Sequence, residues 1–339
     1  MSGRSRRLHR SKLLLGALVL VLGLACTTAL AFGADGAEQH PRVVLVTNNC
    51  SEHNFLCPPF EAALRRTGVS GKIISPDDRE DPVATLSLLA TQGYDLIVVD
   101  LFWSDILAQV APRFPKTHFA IIDEALGLVR GRPKNVQAVV LRTNETSYLA
   151  GWLAGEMEKR RPGRDIVGVV GGISFQAVDD FIVGFRAGVL RASPHALVLV
   201  DYSGDFTDPS KCEAIARRQI ARGARVVFNV AGACGQGTLR AAKRAGVWGI
   251  GVDTDESGLG PHILTSVVKR YDGVMRTLLE QVRDGHIPGG VTTALTLGDH
   301  GATLGRISPK VPASLRAALD ALARQIIMGA IRVPGVAPL

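Results

Sequence analysis

The chain has 339 residues, with 39 Lys and Arg against 31 Asp and Glu and a formal charge of +8. Five of those charges (Arg4, Arg6, Arg7, Arg10 and Lys12) precede residue 32 with no acid among them, so the remainder carries +8 less five, or +3. No basic stripe interleaved with aromatics remains, which excludes a nucleic-acid partner; about 300 residues is more than one ordinary core and predicts two lobes.

The basic start runs into Leu13–Ala25, which carries no charge, and then into Ala29-Leu30-Ala31. Small residues at the −3 and −1 places of a signal-peptidase site after a short apolar run predict a secretory signal over residues 1–31 and an extracytoplasmic protein. The run is shorter than the ~20 residues a spanning helix needs. Cys26, after Leu24-Ala25, leaves a second form open, a lipoprotein signal that tethers the chain to the outer face of the cytoplasmic membrane, although Gly23 stands where that signal carries Leu. Arg6-Arg7 has the look of a twin-arginine signal but lacks the apolar residue expected at His9.

Four further cysteines, Cys50, Cys57, Cys212 and Cys234, fit two disulfides in an oxidising compartment. Three connectivities are open, and Cys50 with Cys57 and Cys212 with Cys234 closes the shortest loops. The spacing has none of the tight Cys/His pattern of a metal site, and no cofactor is expected.

From residue 42 short apolar runs alternate with helical stretches. Val43–Val46, Lys72–Ser75, Leu96–Val99 (ending at Asp100) and Phe119–Ile122 (ending at Asp123) are expected strands, with helices at Pro59–Arg66 and Asp81–Gln92. The pattern restarts with strands at Ile166–Val170, Leu197–Val200, Val226–Phe228 and Ile250–Val252 and helices at about 174–192, 209–222 and 236–245. Runs apolar on both faces and separated by helices mean parallel sheets covered on both sides. The expected fold is therefore α/β: two doubly wound parallel-sheet lobes joined by a hinge, of the periplasmic-binding-protein type I. The first lobe spans 42–140 and is completed by about 265–310, the second spans 145–262, and 311–339 form a C-terminal helix and tail. Val136–Leu141 with Asn144–Lys159 and then Ile263–Lys269 are the expected crossings. Ligands bind such folds outside the carboxyl ends of the strands.

Several residues point at that cleft. The Gly232/Gly235/Gly237 loop opens a helix, and its free N–H groups suit a polar ligand edge; its spacing is not that of a dinucleotide fingerprint. Phe206 lies in a polar turn between Asp205 and Asp208, as a plug under the loop or as a stacking surface. Asp253 ends a buried strand, and Lys269 follows Ser266-Val267-Val268; the pair serves either as a hinge salt bridge or as donor and acceptor to a ligand.

The ordered series Asn144-Glu145-Thr146-Ser147-Tyr148-Leu149-Ala150-Gly151, Val167–Gly172, Gly184-Phe185-Arg186-Ala187-Gly188, Tyr202–Asp208, Gly235-Gln236-Gly237, Gly249–Asp253 and Leu264–Lys269 resembles the basic membrane lipoprotein family of solute-binding proteins, which includes nucleoside-binding lipoproteins of ABC importers. The resemblance covers about residues 42–305 and is dense from 144. It implies a monomeric receptor that takes a nucleoside-like ligand to a membrane permease. It further implies that Phe206 stacks on a base opposite an aromatic at Phe60, and that Asp253 and Lys269 hold sugar hydroxyls. The first lobe departs from the family: in Ser51-Glu52-His53-Asn54-Phe55-Leu56, Leu56 stands for the family's Asn and Ser51 for an Asp. Asn49, Glu52 and Asn54 are the expected substitutes for reading the base edge.

Two other classes compete. A nucleoside-processing enzyme needs a nucleophile paired with a base, and Tyr148 and His53 stand alone. A sensor for another ligand, such as a sugar or a riboflavin-like molecule, needs a later membrane span, and the end of the chain at Val333-Pro334-Gly335-Val336 supplies none.

Overall fold

The computed structural model describes residues 41–47, 55–77 and 79–336. The first sheet begins with β1 (Arg42–Val46), β2 (Ser70–Ile74), β3 (Leu96–Asp100), β4 (His118–Ile122) and β5 (Val136–Leu141), with α1 (Cys57–Thr67), α2 (Pro82–Thr91) and α3 (Ser104–Val110) between them. β1, β3, β4 and β5 are buried along nearly their whole length, as continuous apolar runs require when helices cover both faces. Asp81 caps α2 by accepting from the Val83 N–H, with Pro82 in the first turn.

The second lobe carries α4 (Thr143–Glu158), β6 (Ile166–Gly171), α5 (Gln176–Ala192), β7 (Leu197–Tyr202), α6 (Pro209–Ala221), β8 (Val226–Val230), α7 (Gln236–Ala245), β9 (Trp248–Asp253) and β10 (Ile263–Lys269). The chain continues through α8 (Tyr271–Arg283), β11 (Val291–Leu295), β12 (Ala302–Leu304) and α9 (Ala313–Ile327). The two sheets have the orders β11-β5-β4-β3-β1-β2 and β12-β10-β9-β8-β6-β7. Every pairing is parallel except β12 with β10. No helix among the described residues is long and apolar enough to cross a membrane.

The crossings fall elsewhere than expected. Val136–Leu141 is a buried strand of the first sheet, paired with β4 and β11. Ile263–Lys269 does not return to the first lobe; it pairs with β9 inside the second sheet. The return comes at Arg270, because Tyr271, Val274, Met275, Leu278, Leu279 and Val282 repeat at helical spacing and fill the first-lobe core beside Phe60 and Val98. Residues 271–295 therefore complete the first lobe. A third crossing follows β11, and β12 and α9 rejoin the second lobe, where Leu315, Leu319 and Leu322 share a core with Phe185 and Val169. Glu145 ties two crossings together: its carboxylate pairs with Arg142 at 2.8 Å and accepts the Leu297 N–H at 2.7 Å.

α4 and α5 pack closely through glycines on their facing sides. A Cβ on Gly184 would overlap the Asn144 backbone, one on Gly188 the Tyr148 carbonyl, and one on Gly151 the Phe185 carbonyl. These glycines let the two backbones touch.

Glu158, in the last turn of α4, is 3% exposed and accepts the Ile166 N–H at 3.3 Å. Burial pushes its carboxyl up to about 7, against the Ile166 hydrogen bond and the Arg161 charge that favour the ionised form. A folded-state value above the unfolded ~4.3 means that this group stabilises the fold most at low pH and loses that contribution as pH rises to about 7. Glu158→Gln keeps an acceptor without the charge. It is expected to raise the melting temperature at pH 8, with the advantage narrowing as pH falls and vanishing near pH 4; equal melting curves at pH 8 would show the carboxylate to be solvated.

Candidate ligand cleft

A cavity of about 790 Å³ lies between the carboxyl ends of the two sheets, within the range of small-molecule sites. The first lobe contributes Thr47, Phe55, Asp100, Phe102, Asp123 and Tyr271 to its wall; Phe175, Phe206, Gly232, Asp253 and Lys269 come from the second-lobe side.

One end is aromatic. Phe102, in the turn after β3, meets Phe175 and Phe206 edge to face at centroid distances of 6.4 and 6.3 Å, and Phe175 meets Phe206 at 5.9 Å. Phe102 is 62% exposed, an unusual state for a phenylalanine with two aromatic neighbours. Two features hold Phe206 in place. Its ring lies over Gly172, where a Cβ would overlap it, and its carbonyl accepts the Cys234 N–H at 2.9 Å. The Cys212–Cys234 disulfide, with Cα atoms 5.6 Å apart, ties α6 to the turn at residues 232–235 that lines the cleft. Gly232 has φ +52°, a conformation that glycine adopts without strain.

The other end is charged. Asp123, just past β4, and Asp253, the last residue of β9, both sit in the left-handed region, at φ 64° and 63°, where a non-glycine residue costs ~1 kcal/mol or more. The turn aims each carboxylate into the cleft, one from each lobe. Lys269 lies between them, 2.7 Å from Asp123 Oδ2 and 3.8 Å from Asp253 Oδ1. The Tyr271 hydroxyl also donates to Asp123 Oδ2, and the Lys269 ammonium stands 5.3 Å from the Phe181 ring centroid. Burial opposes the charge on Lys269, but the two aspartates overcome it and hold its pKa above the ordinary lysine value. Burial pushes the Asp253 carboxyl up against the pull of Lys269. Asp100 accepts from Thr47 Oγ1 at 2.9 Å and from the Phe102 N–H at 3.0 Å, yet burial takes it to about 6.

The structure gathers Phe206, Gly232, Asp253 and Lys269 around one cavity. Phe60 is not there. It is fully buried in the first-lobe core, because Cys57, Phe60 and Ala63 form the inward stripe of α1. The first-lobe aromatics at the cleft are Phe55, Phe102 and Tyr271 instead. Asn49, Glu52, Asn54, Cys50 and Cys26 lie outside the described residues; Cys57 is disulfide-bonded. Asp123 is visible in the sequence as the end of a strand without being assigned to the site, and Tyr271, Phe102 and Phe175 are not singled out there. The rule that found Asp253, an acid at the end of a buried strand, finds Asp123 as well, whereas nothing in the sequence brings Phe102 to Phe175.

Two doubly wound lobes, joined by three crossings and closing on one cavity, are the architecture of a type I periplasmic solute-binding protein. The sequence profile of the Bmp family, described as ABC transporter substrate-binding protein PnrA-like, matches residues 62–336, and the chain belongs to that family. It is 30% identical over 75% of its length to the CD4+ T-cell-stimulating antigen of Listeria monocytogenes, covering 74% of that protein. It is 29% identical to the ABC transporter nucleoside-binding protein BmpA of Lactococcus lactis, with 72% of each chain covered. Among solved structures, an ABC transporter solute-binding protein from Aeropyrum pernix K1 superposes with a TM-score of 0.76 at 22% identity, covering 87% of this chain and 94% of that one.

Proposed function

We propose that this chain is the extracytoplasmic ligand-capturing subunit of an ABC importer, and that its ligand is a nucleoside, of the purine class. The observation that carries the reading is the division of one cavity into an aromatic end and an ionic end. A flat base suits the faces of Phe102, Phe175 and Phe206, and a sugar suits Asp253 and Lys269. A carboxylate accepts from two adjacent hydroxyls while the ammonium donates to a third oxygen. Similarity to a relative named as a nucleoside-binding protein supports the same reading.

The protein binds and releases its ligand without making or breaking a bond. The lobes close about the crossings at Arg142, at Arg270 and after β11, and the closed form docks as a monomer on a membrane permease. The leader at residues 1–31 delivers it to the outer face, where Cys26 is the point of attachment if the signal is of the lipoprotein kind.

Phe206→Ala is expected to weaken binding of a purine nucleoside by ~1–3 kcal/mol, the usual worth of stacking on one base. Calorimetry beside a melting curve checks it. Unchanged affinity with an intact fold would make Phe206 a packing residue only.

A further inference from the structure

The sheet of the second lobe stops short of the cleft wall. β8 pairs with β6 as far as Val230, and among the described residues no strand pairing continues beyond it. The chain then turns through residues 231–235 and supplies Gly232, Ala233 and Gln236 to the cavity. That turn is held by other means. Asn229 Oδ1 accepts the Ala231 N–H at 2.9 Å, the Cys234 N–H donates to the Phe206 carbonyl at 2.9 Å, and Cys234 is bonded to Cys212.

Cys212 lies in the first turn of α6, and the Phe206 turn runs straight into that helix. Asp208 caps it by accepting the Ser210 N–H at 2.8 Å, and Lys211 Nζ stands 2.6 Å from Asp205 Oδ2. The cystine therefore joins two turns of the cleft wall, one carrying Gly232 and the other Phe206. They meet at backbone distance: a Cβ on Gly232 would stand 3.6 Å from the Phe206 carbonyl oxygen, and one on Gly237, in the first turn of α7, would overlap the Pro209 carbonyl. The main core of the lobe lies elsewhere. Cys212 and Cys234 belong to a small cluster with Val170, Ile215, Ala216 and Ala231, whereas Phe185, Val169 and Leu319 belong to the large one. Both cysteines are fully buried, which keeps reductants from the sulfurs and makes the bond a fixed part of the wall rather than a switch. A wall that is ordered before the ligand arrives lowers the cost of binding.

We infer that the Cys212–Cys234 cystine is a positioning element of the ligand cleft: it holds the Gly232 and Phe206 turns in register and sets ligand affinity, while the lobe folds without it. This rests on the reading of the cleft given above.

The test compares the full chain carrying Cys212→Ala and Cys234→Ala together with one carrying Leu319→Ala, which opens a void in the core of the same lobe but lines neither cavity of the cleft. Calorimetry with inosine and adenosine is done well below both melting temperatures. The double cysteine variant is expected to bind at least tenfold more weakly than the natural protein. Leu319→Ala should stay within twofold of it, although its melting temperature also falls. Hydrogen exchange reads the positioning without a ligand. At short labelling times the cysteine variant should exchange faster at residues 205–208 and 231–235 and not in β6 or β8. Nucleoside affinity within twofold of the natural protein overturns the inference, as does an equal loss in Leu319→Ala or unchanged exchange at the two turns. A cysteine variant that does not fold overturns it too, because the bond would then be a requirement of the lobe. If the natural protein binds neither nucleoside, the nucleoside reading falls and the exchange result alone decides the inference.

Discussion

Asp253→Asn is expected to weaken binding of a purine nucleoside by ~2 kcal/mol, roughly thirtyfold, without lowering the melting temperature of the empty protein. Asn tolerates the left-handed backbone at φ 63° and keeps the side-chain shape, so only the charge is removed. Hydrogen bonds to a charged acceptor contribute ~1.5–3 kcal/mol. Among the described residues that acceptor receives no hydrogen bond, and its burial disfavours the ionised form against the pull of Lys269. The structural partner of Lys269 is Asp123, at 2.7 Å against 3.8 Å for Asp253. Neutralising Asp253 therefore leaves the hinge pair intact. A 2′-deoxynucleoside should bind the natural protein more weakly than the ribonucleoside, and that difference should shrink in the variant, whose acceptor is already weakened. A hinge-only role for Asp253 gives the opposite pair of results: a lower melting temperature and an unchanged ribo-to-deoxy ratio.

Gly188→Ala has the largest expected effect on stability. Helix propensity alone favours alanine by ~1 kcal/mol in the middle of α5. Against that, the new methyl would overlap the Tyr148 carbonyl and crowd the Trp152 nitrogen, both backbone atoms inside α4 that cannot swing aside. Overpacking against a rigid neighbour costs ~1–3 kcal/mol and occasionally more, and it recurs along this contact at Gly184 and Gly151. The clash outweighs the propensity. The melting temperature is expected to fall by several degrees, and a variant as stable as the natural protein would mean that the helices separate freely.

The eight strands expected from apolar runs are present; six are buried nearly end to end and carry that signature locally, while β2 and β7, at the sheet edges, are more exposed. The crossings were not legible in the same way. Ile263–Lys269 is a β-rich run whichever sheet receives it, and only its pairing with β9 places it in the second lobe. The site divides similarly. Asp253 was found because its place at a strand end is a local fact. Phe60 was placed at the cleft by the family resemblance, although its helical stripe with Cys57 and Ala63 marks it as core. Phe102 reaches the aromatic end only when the lobes face each other, a condition that exists in the fold and not in the sequence.

The central claim is that one ligand occupies both ends of the cleft. It is tested most directly by calorimetric titration of the full chain with a purine nucleoside, its free base, ribose, glucose and riboflavin. The nucleoside alone should bind tightly, with base and ribose each at least a hundredfold weaker, since neither spans the distance from Phe206 to Asp253. Tight binding of a sugar or of riboflavin, with no heat from any nucleoside, would contradict the account.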